Sequence, residues 1–112
     1  MIVEYKNKKL KKQCENPTIA QKDFGTGIGN KLSQRIGEFI SAENLSDIKA
    51  LPAARIHKLE GMRNDQYAVD LVHPHRLVFK PILDDRNNIK KLELITVIRI
   101  EEVTDYHGKQ KK

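Results

Sequence analysis

The chain has 112 residues, of which 38% are hydrophobic and 32% charged, and 21 Lys+Arg against 15 Asp+Glu leave a net charge of +6. That length holds one modest core and not two, so a single domain over 1–112 is expected, and the positive charge favours polyanionic partners. Its one cysteine excludes an intramolecular disulfide, and no run approaches the ~18 apolar residues of a membrane span, so neither a disulfide framework nor a membrane partner is expected.

The opening "MIVEYKNKKLKK" lacks the apolar stretch of a signal peptide, which makes a cytoplasmic location the expectation. "MIVEY" is short, apolar and β-prone and reads as a strand. In "KNKKLKKQCEN", Leu10 and Cys14 lie four apart, as on a short exposed helix. Asn16-Pro17 has the form of an N-cap followed by proline in the first turn. Ile28, Leu32, Ile36, Phe39 and Ile40 then form a helical stripe within about 17–42, and Gly25, Gly27 and Gly29 are places where that helix can break. "ENLSDIKAL" predicts a further short helical turn capped by Asn44, and Pro52 closes the helical half.

The second half changes period. "ARIHKLEG", "QYAVDLV", "HRLVFKPI" and "LELITVIRIEEV" read as strands, separated by turn-forming "GMRND", "HPH" and "DDRNN". Short links between successive strands favour antiparallel hairpins. The predicted fold is α+β, with N-terminal helices on one face of a mostly antiparallel, curved sheet of four to five strands. A basic tail, about 108–112, is expected to be flexible.

Candidate chemistry follows from strand parity, since alternate residues share a face. Asp105 and His107 therefore face one way and Tyr106 the other unless the strand has ended. Arg55 and His57 share a face of their strand, Arg76 begins another, and Arg63 sits in a turn. Side by side, these strands would set His57, Arg76, Asp105 and His107 on one surface ringed by lysines. Imidazoles that exchange protons near neutrality, together with fixed positive charge, suit RNA cleavage by internal transphosphorylation. There the 2′-hydroxyl supplies the nucleophile, so neither a metal nor a cofactor is expected. By itself such a strand end is more often a plain surface cluster. "GTGIG" resembles a phosphate loop only superficially, because it follows a helical segment instead of a strand. His73 and His75 of "HPH" could seed a metal site but lack a ligand set of the right spacing. Cys14 is most simply a small apolar filler.

Taken together, "LPAARIHKLEGMRNDQYAVDLVHPHRLVFKP" followed by a strand and "VTDYHGK" resembles the HigB-type killer toxins of bacterial toxin–antitoxin systems, within the RelE/ParE superfamily. The likeness covers nearly the whole chain, and "DYH" is its sharpest token. It implies an mRNA interferase that works in the ribosomal A site of the 70S ribosome. It also implies silencing by a helix-turn-helix antitoxin, through which the complex reaches operator DNA. Carried over by position, His57, Asp105, Tyr106 and His107 are the catalytic set. His57 or His107 would exchange protons, Asp105 would orient a histidine or act as base, and Tyr106 would contact the mRNA. Arg63, Arg76, His75 and Lys58 would bind substrate, the two arginines holding the scissile phosphate. Glu60 stands where some members carry lysine, and Pro74-His75 where some carry a polar-aromatic pair. The alternative is a non-catalytic module of the same fold, either a gyrase-targeting toxin or an antitoxin-binding regulator.

Overall fold

The computed structural model describes residues 1–63, 65–83 and 91–105. In chain order these form β1 (Ile2–Tyr5), α1 (Lys8–Glu15), α2 (Pro17–Phe24), α3 (Thr26–Ser41), α4 (Leu45–Lys49), a 3-10 turn (Pro52–Ala54), β2 (His57–Lys58), a second 3-10 turn (Gly61–Arg63), β3 (Tyr67–Asp70), β4 (His75–Pro81), a third 3-10 turn (Leu92–Leu94) and β5 (Val97–Asp105). Among the described residues no helix is long and apolar enough to cross a membrane.

Three asparagines start three helices. Asn7 Oδ1 accepts from the Leu10 amide at 2.8 Å, Asn16 Oδ1 from Thr18 and Ile19 at 3.0 and 3.3 Å, and Asn44 Oδ1 from Ser46 at 2.9 Å. Each satisfies amide donors that the first helical turn leaves without a partner. The long helical stripe is broken at Gly25, whose φ of 89° ends α2 and begins α3. That conformation favours a residue without Cβ.

The sheet order is β1-β5-β4-β3-β2. β2, β3, β4 and β5 run as an antiparallel meander, as the short β3–β4 link favours, although a long connection separates β4 from β5. β1 instead joins β5 in parallel, Ile2 opposite Val97 and Tyr5 opposite Ile100. This pairing was not legible from neighbouring turns. Val69, Leu77, Phe79, Ile98 and Ile100 share one core with Leu32, Ile36 and Phe39 of α3 and Leu45 and Ile48 of α4. The helices therefore cover one face of the sheet, as the pattern predicts. Ala68 and Val78 are buried but lie outside that core, on the opposite face.

Two predicted strands are shorter than the sequence suggested. "ARIHKLEG" yields only the two residues of β2, because Arg55 adopts a left-handed backbone (φ 46°, ψ 54°) and a 3-10 turn begins at Gly61. "LEL" is a 3-10 turn, and pairing with β4 starts only at Ile98. β5 also carries a bulge. Val78 pairs with Glu102 and Phe79 with Ile100, so Glu101 is the extra residue. An extra residue reverses side-chain parity beyond it.

Candidate functional site

The bulge decides which polar residues meet. Before it, Ile98 and Ile100 face the helices; after it, Val103 and Asp105 take that parity, opposite Leu77 and His75. Without the extra residue Asp105 would lie on the open face beside Arg76. Instead Thr104 stands opposite Arg76, and Arg76 stands opposite Asp70. His57 pairs with Ala68, so His57, Asp70, Arg76 and Thr104 are the polar residues of the open face at this end. The single surface expected for His57, Arg76 and Asp105 is thus split between two parities.

The two sets still meet at the end of the sheet. Arg55, His57, Asp70, His73, Pro74, His75 and Arg76 line a cleft of about 320 Å³. His57 is held at both ring nitrogens. Nδ1 lies 2.8 Å from the Arg55 carbonyl, which can only accept, so Nδ1 carries the proton and donates. Nε2 then presents its lone pair, and Arg76 Nη1 donates to it at 3.1 Å. His75 Nε2 lies 3.8 Å from the Asp105 carboxylate across β4 and β5.

The Arg55 side chain, 64% exposed, makes a two-pronged pair with Asp70, Nε to Oδ2 at 2.6 Å and Nη2 to Oδ1 at 3.0 Å. The hydrogen bond to Asp70, then its charge, raises the guanidinium pKa still further. Behind this pair lies Arg35 of α3, only 3% exposed. It donates from Nε to the Asp70 carbonyl at 2.8 Å, from Nη2 to the Ala53 carbonyl at 2.9 Å, and from Nη1 to Glu38 at 2.9 Å. One buried side chain thus ties the helix layer to both segments that carry the cleft.

The remaining candidates lie apart. Arg63 donates to Gln66 Oε1 at 2.8 Å and is ion-paired with Glu102 of β5, away from the cleft lining. Lys58 and Glu60 are exposed, and Lys58 alternates with His57 on β2. Tyr106, His107 and the basic tail lie outside the described residues. No group of three or more His, Cys, Asp or Glu among the described residues is placed to hold a metal ion.

The sequence pattern did not single out two residues of this site, Arg35 and Asp70, and it placed Arg55 beside His57 without its partner. Arg35 sits inside an apolar helical stripe, and a charge there is a signal in itself, since buried charges need partners. Asp70 gave less warning, because its contact with Arg55 joins the end of β3 to the turn before β2.

The cleft can do acid–base and anion-binding chemistry. An imidazole with a defined tautomer faces guanidinium groups, and further histidines and a carboxylate stand alongside.

No family model matches the chain, nor does any curated protein. Solved structures do. The YoeB/ParE toxin from Agrobacterium tumefaciens superposes with a TM-score of 0.55 at 9% identity, over 95% of this chain and 99% of its own. A histidine-to-glutamine mutant of YafQ from E. coli superposes with the same TM-score of 0.55 at 19% identity, over 95% of this chain and 93% of its own. At such identities the shared property is the fold, the α+β arrangement of RelE-like toxins.

Proposed function

We propose that the chain is the toxin of a type II toxin–antitoxin system, of the HigB type, and that it cleaves mRNA. The observation that carries this reading is the clamped His57, between the Arg55 carbonyl and the Arg76 guanidinium, in a basic cleft of a toxin-like fold. Cleavage starts when a base takes the proton of a ribose 2′-hydroxyl. O2′ then bonds to phosphorus, the P–O5′ bond breaks, and an acid gives O5′ its proton. His57 serves as one of the two proton carriers, and one of Asp105, Tyr106 and His107 as the other. Arg76 and Arg55 stabilise charge on the phosphate, and His75 and Lys58 contact the nucleotide. Arg63 contributes once Glu102 releases it. Because the substrate brings its own nucleophile, this scheme uses no metal and no cofactor.

The proposed setting is the A site of the 70S ribosome in the cytoplasm. A helix-turn-helix antitoxin would cover the cleft and carry the complex to operator DNA. The test is inducible expression in bacteria of the wild type beside His57→Ala and His107→Ala, with mRNA ends mapped by primer extension. The wild type is expected to arrest growth and cut mRNA, and each variant to lose about 10²-fold or more in cleavage. Arrest with intact mRNA and broken DNA would select a gyrase-targeting toxin instead. A harmless wild type would select a regulatory binding module.

A further inference from the structure

Arg76 occupies the one atom of His57 that could act as a base. Nδ1 is committed as a donor to the Arg55 carbonyl, so only the Nε2 lone pair remains for accepting a proton, and Arg76 Nη1 fills it at 3.1 Å. The same guanidinium lines the cleft and is the natural partner of an incoming phosphate. A phosphate oxygen carries negative charge, which an imidazole nitrogen lacks, and a phosphate can accept from two prongs of the guanidinium fork at once, so it is the stronger partner.

We infer that Arg76 is a displaceable cap on His57, and that binding a phosphodiester draws it away and exposes Nε2 as the base. This rests on the RNA-cleaving reading above. Three features suit the role. The imidazole cannot turn to evade the cap, because the Arg55 carbonyl holds Nδ1 from behind. That carbonyl is aimed by the left-handed backbone of Arg55, whose φ of 46° is the only positive value at a non-glycine residue among those described. The Arg55 backbone in turn is fixed through its side chain to Asp70, and Asp70 through its carbonyl to buried Arg35. Arg55 is therefore a positioning residue, Arg76 a phosphate ligand and cap, and His57 the catalytic base. With the cap on the phosphate, Nε2 takes the 2′-hydroxyl proton and becomes imidazolium as O2′ bonds to phosphorus. The P–O5′ bond breaks, and O5′ takes its proton from the second proton carrier of the reaction proposed above. In the absence of a phosphodiester the base stays covered, so the cleft couples substrate binding to its own arming.

The test is long-range 1H–15N NMR of the full chain, with His57→Gln assigning the signals. In the free protein Nδ1 is expected to read as the N–H nitrogen and Nε2 as the hydrogen-bonded acceptor. Titration with inorganic phosphate, then with a single-stranded oligodeoxynucleotide that lacks the 2′-hydroxyl, is expected to move Nε2 toward the bare-nitrogen position. The Arg76 guanidinium signals should move on the same saturation curve. Arg76→Ala should place Nε2 at the bare position before any ligand is added, and Arg76→Lys should give an intermediate response. A free protein with the proton on Nε2 would overturn the inference. So would saturable phosphate binding that leaves Nε2 unmoved. If Nε2 responds as described but the chain cuts no RNA, the cap stands and the ribonuclease reading falls. If RNA is cut while Nε2 stays silent, the cap falls and the ribonuclease reading stands.

Discussion

The Nε of Arg35 lies 2.8 Å from the main-chain carbonyl of Asp70, joining α3 to the end of β3 through the interior of the protein. With its other nitrogens on Ala53 and Glu38, this buried guanidinium satisfies two segments that flank the cleft. Removing it takes a donor from the Asp70 and Ala53 carbonyls and leaves the Glu38 carboxylate with Gln34 Nε2. Arg35→Met is expected to destabilise the fold by about 3–5 kcal/mol, and Arg35→Lys by nearly as much, because lysine cannot fork to three acceptors. Urea unfolding of the three proteins checks this; a Lys variant as stable as the wild type would reduce the contact to charge alone.

Glycines of α3 offer a paired test of packing. A Cβ at Gly29 would lie 2.7 Å from the backbone N and Cα of Gln21, where α2 crosses α3, and neither backbone can yield cheaply. Gly29→Ala should therefore lose roughly 1–3 kcal/mol. Gly37, exposed and mid-helix, has nothing within 4 Å of such a Cβ. Gly37→Ala should gain about 0.8–1 kcal/mol from helix propensity alone. Opposite signs in thermal melts are the expected result.

Alkaline pH should loosen the fold in a defined window. Burial first, and then the charge of Glu15, pushes the Cys14 thiol from 9.0 up to about 12. Between those values the unfolded chain has released a proton that the folded chain keeps. The unfolded state binds fewer protons there, so stability falls as pH rises from about 9 toward 12, at about 1.4 kcal/mol per pH unit for this group. Tyr5, raised from 10.0 to about 12 mainly by burial, adds to the fall above pH 10. Cys14→Ala is expected to flatten the slope in urea titrations across this range. Alkylation of Cys14 at pH 8 should proceed only as fast as the protein opens.

The Arg55 backbone separates strain from charge. Arg55→Gly keeps the left-handed conformation freely, and the surface ion pair it loses contributes only about 0–1 kcal/mol. It should stay within about 1 kcal/mol of the wild type. Arg55→Val, β-branched at φ 46°, should lose about 2 kcal/mol or more. Chemical denaturation midpoints distinguish the two.

Arg63 and Glu102 give a test of substrate contact. While the pair is closed, Glu102 takes up charge that Arg63 would otherwise offer to RNA. Glu102→Gln should tighten single-stranded RNA binding. It should also steepen the log–log salt dependence by about 0.7, the increment for one added phosphate contact. Unchanged salt dependence would remove Arg63 from the binding surface.

Local chemistry made the helical half readable. Asn16-Pro17 and Asn44 cap where their side chains predict, and the Leu32–Ile36–Phe39 stripe faces the core. The sheet was legible as five strand-like runs, the opening "MIVEY" among them. Its register was not, and register decides the site. One extra residue, Glu101, turns Asp105 away from the parity of Arg76, and nothing in "VIRIEEVTD" announces it. Similarly, "ARIHKLEG" alternates like a strand, but a left-handed residue and two turns leave two paired residues. His57 and Arg76 could be nominated from the sequence; their direct contact depends on strand neighbours fixed only by the whole fold.

The parallel pairing of β1 with β5 joins segments from opposite ends of the described chain. Ile2 pairs with Val97, so closing this edge of the sheet spans almost the entire described chain. Such closure brings a large entropic cost and little early return, which slows folding relative to chains built from local contacts. β5 also supplies Thr104 and Asp105 beside Arg76 and His75. During synthesis the strand that flanks Arg76 and His75 is the last of the five to leave the ribosome, so a nascent chain carries the helices and His57 well before β4 has β5 beside it.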